Sequence, residues 1–294
     1  MILALDIGGT KIAAALVEDG VCRERRQVPM PRTSSEFVEA ITLLVKDRPR
    51  ILAVAAAVTG RLVDGHVRTV NLDTIPFWDG FPLVARLQEI IGAPVIAIND
   101  AQAAAWGEYC ARGHAYKDLL FVTLSTGVGG GVVLDGGMRI GQHGLAGHIG
   151  HSTVYPRAID APIGCGCGRE GCLESIASGT ALARQAKHHY KRLVSSAELF
   201  DLAHSGDSEA QSILLNAADA VAHALANAHA QLDLELVVLG GSVGLAPGMQ
   251  YWIQSAMDRL PNAFRVPIER ARLEADAGLI GAAGWVQYLE QKRK

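Results

Sequence analysis

The 294-residue sequence predicts an α/β protein built from two related lobes. Three observations carry that expectation. Short apolar runs bounded by turn residues alternate with helix-periodic segments. Two strand–glycine–strand units, "LALDIGGTKIAAALVEDG" and "FVTLSTGVGGGVVLDG", can be laid over one another, and each ends in Asp-Gly. The length suits two domains.

In chain order, residues 2–20 read as strand, Gly-Gly-Thr turn and strand. "SSEFVEAITLLVKD" has helical spacing. "RILAVAAAVTG" (50–60) is a buried strand, "FPLVARLQEIIG" an amphipathic helix, "APVIAIND" (93–100) a strand and "AQAAAWGEYCARG" the helix after it. A polar break, "ARGHAYKD" (111–118), separates the lobes. Residues 119–137 repeat the strand–turn–strand pattern. The second half is more helical: "ESIASGTALARQAKHHYKRLV", "SAELFDLAHSGD" and "SEAQSILLNAADAVAHALANAHAQLD" all carry helical spacing. "LELVVLGGSVG" (234–244) is a buried strand ending in a third glycine turn, and 276–291 close the chain as a helix.

Hydrophobic residues make up 49% of the chain and charged ones 19%, which fits a soluble globular protein with a filled core. A net charge of −3 with no Lys/Arg block gives no electrostatic support for a nucleic-acid or membrane-surface partner. Asp6 interrupts the N-terminal apolar run and no basic region precedes it, so no signal peptide is expected. The expected compartment is the cytoplasm, where thiols stay reduced.

Three glycine turns sit at strand ends: Gly8-Gly9-Thr10-Lys11 after Ile7, Thr126-Gly127-Val128-Gly129-Gly130-Gly131, and Gly240-Gly241-Ser242. Glycine lets backbone approach a phosphate and present successive N–H groups to it. Lys11 adds a point charge, Thr10 and Thr126 add hydroxyls, and Asp6 can hold Mg²⁺ directly or through water. No "GK[ST]" occurs, and the first turn leads into a strand, so this is neither a P-loop nor a Rossmann fingerprint. Each turn alone is equally explained as hairpin geometry. Together with Asp6 and Lys11 they point to a nucleotide, placed in the cleft between the lobes.

"GCGCGREGCLES" (164–175) holds Cys165, Cys167 and Cys172. A reducing compartment argues against disulfides, and C-x-C lacks the redox spacing C-x-x-C. Tetrahedral zinc needs a fourth ligand, and His148 and His151 lie upstream in "GHIGH". Cys22 and Cys110 read as ordinary thiols. Asp100 admits two local readings. It can cap the following helix, or it can serve as a general base at a strand end.

"LALDIGGTK", the "STGVGGG" hairpin and the cysteine cluster occur together and in order, and over essentially the whole chain they resemble the ROK family of sugar kinases and sugar-responsive repressors. The resemblance implies an actin-like ATPase (ribonuclease H-like) fold. Residues 1–117, joined by the C-terminal helix from about 280 to 294, would form one lobe. Residues 118–279, with the zinc loop, would form the other. "VIAINDAQAAAW" and "GLAGHIGH" are most like members that phosphorylate N-acetylmannosamine on its 6-hydroxyl with ATP, in sialic-acid and amino-sugar catabolism. Other ROK sugar kinases, on glucose, fructose or N-acetylglucosamine, are the alternative.

The resemblance makes Asp100 the catalytic base, His151 the fourth ligand of a structural zinc, and Gly60, Arg61, Asn71, Asn99, Asp100, His148, His151 and Glu174 the sugar contacts. Many members carry Glu where His148 stands. A histidine can donate where a carboxylate only accepts, so the exchange bears on which sugar is taken. A homodimer is a further family expectation. A repressor would need a helix-turn-helix domain, and Asp6, as the sixth residue, leaves it no room. A non-catalytic sugar-binding protein is argued against by the presence of Asp100 and all three turns.

Overall fold

The structure is a computed structural model and describes residues 1–70, 75–155 and 163–292. It divides into two compact units. The first is Met1–Ala115 with Met138–Ala146 and the chain from Ala275, and the second is Tyr116–Gly137 with Gly147–Glu274.

The first unit begins with β1 (Ile2–Ile7), β2 (Lys11–Glu18) and β3 (Val21–Pro29), an antiparallel meander. Helix α1 (Ser34–Val45) follows, opened by Thr33, whose side chain accepts from the Glu36 amide. Then come β4 (Ala53–Val58), a ribbon of β5 (Arg61–Val63) and β6 (His66–Arg68), α2 (Leu83–Ile91), β7 (Val95–Asn99) and α3 (Asp100–Ala111). The sheet order is β3-β2-β1-β4-β7, with β4 parallel to both β1 and β7.

β1, β2 and β4 are apolar on both faces because helices cover the sheet. One face packs on α1 and α2 through Phe37, Ile41, Leu83 and Leu87, all buried in one core. β3 is not legible as a strand. Its sequence "VCRERRQVP" is charged and mostly exposed, and only pairing with β2 holds it extended at the sheet edge.

The second unit repeats the plan. β8 (Leu119–Leu124), β9 (Val128–Leu134) and β10 (Gly137–Arg139) lead to a short 3-10 turn, Ile149–His151. Helices α4 (Glu174–Ala177), α5 (Gly179–Tyr190), α6 (Ser196–His204) and α7 (Ser208–Leu232) come next, then β11 (Leu236–Gly240), α8 (Met249–Met257) and β12 (Ile268–Arg270). The sheet order β10-β9-β8-β11-β12 matches that of the first unit position for position. β8 is antiparallel to β9 and parallel to β11, as β1 is to β2 and β4.

The final helix, α9 (Ala277–Lys292), packs in the first unit against α3. The two helices approach so closely that a Cβ on Gly281 would lie 1.7 Å from the Ala103 carbonyl oxygen. That contact explains why α3 is alanine-rich and buried nearly all round.

One segment departs from the lobe boundaries expected from sequence. Met138–Ala146, which takes in the last two residues of β10, groups with the first unit, although both its neighbours in the chain belong to the second. The buried Gln102 amide donates to the Ile140 and Ala146 carbonyls, and Arg61 donates to the His143 carbonyl. These are side chain-to-backbone bonds, which leave no periodic signal in sequence. Among the described residues no helix is long and apolar enough to cross a membrane.

Candidate active site

At the C-terminal end of β7 the cap of α3 is Asn99, not Asp100. The Asn99 Oδ1 accepts from the Ala101 and Gln102 amides at 3.0 and 3.1 Å. Its Nδ2 donates to the Gly60 carbonyl at 3.0 Å and to Asp100 Oδ1 at 2.9 Å. Both lone pairs and both protons of the amide are thus used inside the chain. The Asn99 side chain thus ties the start of α3, the Gly60 turn and Asp100 together. Asp100 becomes the first helical residue, and its Oδ1 also accepts from the Ala101 amide at 2.8 Å.

Burial, reinforced by the charge of Asp6, pushes the Asp100 carboxyl up to about 7, against hydrogen bonds from Ala101, Thr59 and Asn99. A carboxylate poised there can take a proton near neutral pH. Asp6, near the end of β1, is itself raised by burial, with Lys11 and Arg25 pulling it back. Two electrostatically coupled carboxylates repel each other, and oxygen donors of this kind fit a hard divalent cation such as Mg²⁺.

The β1–β2 turn is closed by the Gly8 amide donating to the Lys11 carbonyl at 3.0 Å. A Cβ on Gly8 would meet only that carbonyl, at 3.5 Å, an ordinary contact. Gly9, Thr10 and Lys11 are exposed. Ile7 is fully buried, and its carbonyl accepts from the Thr59 amide at 2.9 Å.

The second turn is shorter than the sequence suggests. It spans 125–127, and Val128, Gly129, Gly130 and Gly131 are strand residues of β9, the glycines paired with Thr123, Val122 and Phe121. Their glycine character serves packing. A Cβ on Gly130 would lie 2.4 Å from the Gly147 carbonyl oxygen, and one on Gly150 would lie 2.0 Å from that of Val128. Glycines on both segments let the "GLAGHIGH" stretch lie directly on β9. In the third turn Gly240 ends β11, and Gly241 has φ +84° with its Cβ position 2.2 Å from the Leu124 carbonyl oxygen, so only glycine fits.

Beside the second and third turns lies a cavity of about 410 Å³ lined by Ser125, Thr126, Thr180, Ser195, Ser196 and Ser242 among others. The N-termini of α5 and α6, capped by Ser178 and Ser195, open onto it. Hydroxyls and two helix N-termini favour an anionic, hydrogen-bonding ligand. Sequence reasoning missed Thr180, Ser195 and Ser196; two Ser caps, Ser178 before Gly-Thr and Ser195 before Ser, were the available signal.

His151 and the three cysteines of the loop do converge: one ligand atom from each of His151, Cys165, Cys167 and Cys172 lies within 4.8 Å of the others. The Cys167 and Cys172 sulfurs are 3.7 Å apart, and the Cys165 sulfur is 3.8 Å from His151 Nδ1. Tetrahedral zinc with Zn–S bonds of about 2.3 Å requires edges of about 3.8 Å, so the donor set fits that ion. The loop is pinned by Arg169, which donates to the His151 carbonyl at 2.7 Å and to Thr153 Oγ1 at 3.1 Å.

Gly60 has φ +95° and turns the chain from β4 to Arg61, which is half-buried at the start of β5. Asn71 lies outside the described residues. His148 precedes the 3-10 turn, its ring 6.5 Å from that of His151 and nearly parallel to it. Glu174 opens α4, and its Oε2 accepts from the Val128 amide at 3.0 Å.

The model of the ROK family matches residues 2–288. An N-acetylmannosamine kinase of Yersinia pseudotuberculosis serotype O:1b is 43% identical over 288 residues, which is 97% of this chain and 98% of that one. The ROK hexokinase of Thermus thermophilus is 36% identical with a TM-score of 0.85, over 100% of this chain and 99% of that one. A ROK family glucokinase from Streptomyces griseus, solved with glucose and AMPPNP, is 29% identical with a TM-score of 0.80, over 97% and 98% of the two chains.

Proposed function

The chain belongs to the ROK family, and from that premise we propose that it is an ATP-dependent kinase that phosphorylates N-acetylmannosamine on its 6-hydroxyl, in amino-sugar and sialic-acid breakdown. Its fold is that of the actin-like ATPases, shared with the ROK sugar kinases. The observation that carries the reading is Asp100: half-buried at the head of α3, oriented by the Asn99 amide, and raised to about 7. As the 6-oxygen attacks the γ-phosphorus, Asp100 takes the hydroxyl proton, the bond to the β-phosphate oxygen breaks and ADP leaves. A positioned base of this kind contributes about 10²–10⁴-fold, and the remainder comes from alignment and charge stabilisation.

The open turn at Gly8, Gly9 and Thr10, with Lys11, takes phosphate oxygens, and so does the hairpin at Thr126 and Gly127. The hydroxyl-lined cavity takes the nucleoside. Asp6 would hold Mg²⁺ directly or through water, and the ion neutralises phosphate charge when bound. His151, Cys165, Cys167 and Cys172 would hold a structural zinc, since four protein donors leave no open position. Gly60, Arg61, Asn71, Asn99, Asp100, His148, His151 and Glu174 are the proposed sugar contacts.

A coupled assay across sugars tests the proposal. N-acetylmannosamine should give the highest kcat/KM. Glucose turning over as well or better would replace the substrate, as the similarity to the hexokinase and glucokinase would then explain. No turnover on any sugar would remove the kinase reading.

A further inference from the structure

Both arms of the cysteine–histidine cluster reach the same residue, Val128, the last support of the second hairpin. One arm ends in His151. The residue before it, Gly150, packs so tightly on Val128 that a Cβ would fall 2.0 Å from its carbonyl oxygen. The other arm ends in Cys172. Two residues later, Glu174 Oε2 accepts from the Val128 amide at 3.0 Å. The same oxygen lies 2.7 Å from where a Cβ on Gly127 would stand. Gly127 does not adopt positive φ, so backbone geometry does not demand glycine there; the carboxylate of Glu174 does.

The two arms are also tied to each other. The Leu173 amide donates to Ser152 at 3.0 Å, and Thr153 bridges Cys172. On its far side the hairpin is held by α5. The Gly179 amide donates to Ser125 at 2.7 Å and the Thr180 hydroxyl to Thr126 at 2.9 Å.

We propose that Glu174 is a positioning residue for ATP, which transmits the rigidity of the metal-binding cluster to the phosphate hairpin Ser125–Val128. The inference rests on the ATP reading above. It gives the cluster a second duty, on the nucleotide side, beyond placing sugar contacts. The hairpin amides must face phosphate without reorganising, and a charge-assisted hydrogen bond at Val128 holds them so.

The test uses the full-length, zinc-loaded protein. Calorimetry measures the Kd of a non-hydrolysable ATP analogue, with zinc content and Tm measured alongside. Glu174→Ala should weaken the analogue about tenfold while zinc stays at the wild-type level. Glu174→Gln keeps an oxygen acceptor for the Val128 amide and should restore affinity to within about threefold of wild type. Gly127→Ala should weaken the analogue comparably, and combining it with Glu174→Ala should add little, because both break one contact. A Glu174→Ala variant that binds the analogue as wild type does, or a Glu174→Gln variant as weak as it, overturns the inference alone. Wild-type protein that fails to bind the analogue overturns the ATP reading and this inference with it.

Discussion

In the first unit the hairpin between β1 and β2 stands open: a methyl group on Gly8 would meet only the Lys11 carbonyl, at 3.5 Å. In the second unit the matching hairpin between β8 and β9 is shored up on every side. Gly130 abuts Gly147, Gly150 abuts Val128, and Gly127 abuts Glu174. The sheets carrying the two hairpins have the same strand order. The same glycine-rich signature therefore does two different jobs. In one it leaves space for a ligand, and in the other it admits the protein's own supporting segments. The coupled carboxylates, Asp6 and Asp100, lie in the unit with the open turn, and the cysteine–histidine cluster lies in the unit with the braced one.

The largest expected effect tests the chemical side of that contrast. Asp100→Asn should fold and bind ATP yet lose about 10²–10⁴-fold in kcat. Near-normal kcat would take Asp100 out of the mechanism. Gly130→Ala tests the braced side. It forces a Cβ onto the Gly147 carbonyl and should cost about 1–3 kcal/mol of stability or more, read as a fall in the denaturant midpoint. A midpoint equal to wild type would show that the second hairpin is as open as the first.

The carboxyl of Asp100 sets the next effect. Its protonated form cannot accept the sugar proton, so kcat should fall as pH drops through about 7, by about tenfold at one unit below. Stability has the opposite sign. Between about 4 and about 7 the folded chain holds a proton that the unfolded chain has released, so this group's contribution is present at low pH and lost as pH rises. Denaturation without added divalent cation checks it, and a stability that rises across that window would contradict the burial argument.

Gly8→Ala is the counterpart of Gly130→Ala. It should leave Tm near wild type and raise the KM for ATP about tenfold, because the added methyl meets phosphate rather than protein. Thermal melting beside an ATP titration separates the two. The smallest effect is expected at His148. His148→Glu should shift the ratio of kcat/KM between N-acetylmannosamine and glucose toward glucose by about threefold, with little change in stability. An unchanged ratio would leave His148 a packing residue.

Much of this site was legible in the sequence. The strand–glycine–strand repeat is local, so apolar runs and turn residues revealed both hairpins. The C-x-C-x₄-C spacing singled out three possible donors, and the "GHIGH" histidine closest to the loop lies with them, one ligand atom from each within 4.8 Å of the others. What failed was assignment of detail. Gly129, Gly130 and Gly131 read as turn residues and are strand residues, because glycine marks close approach as well as reversal. Asp100 read as a possible cap, and the cap is its neighbour Asn99; either side chain satisfies the local rule, and only the chain at Gly60 decides between them.

The sequence by itself determined the α/β alternation, the duplicated hairpins, the closely spaced cysteines and the strand-end carboxylates, since each depends on residues a few positions apart. Only the tertiary structure decided that β3 is a strand, that Met138–Ala146 belongs with the first unit, that Asp100 is half-buried and feels the charge of Asp6, and that Glu174 grips the Val128 amide. These depend on contacts between residues tens of positions apart. Burial and hydrogen bonding, which set a carboxylate's proton affinity and a hairpin's rigidity, are properties of the neighbours that folding brings, not of the residues themselves.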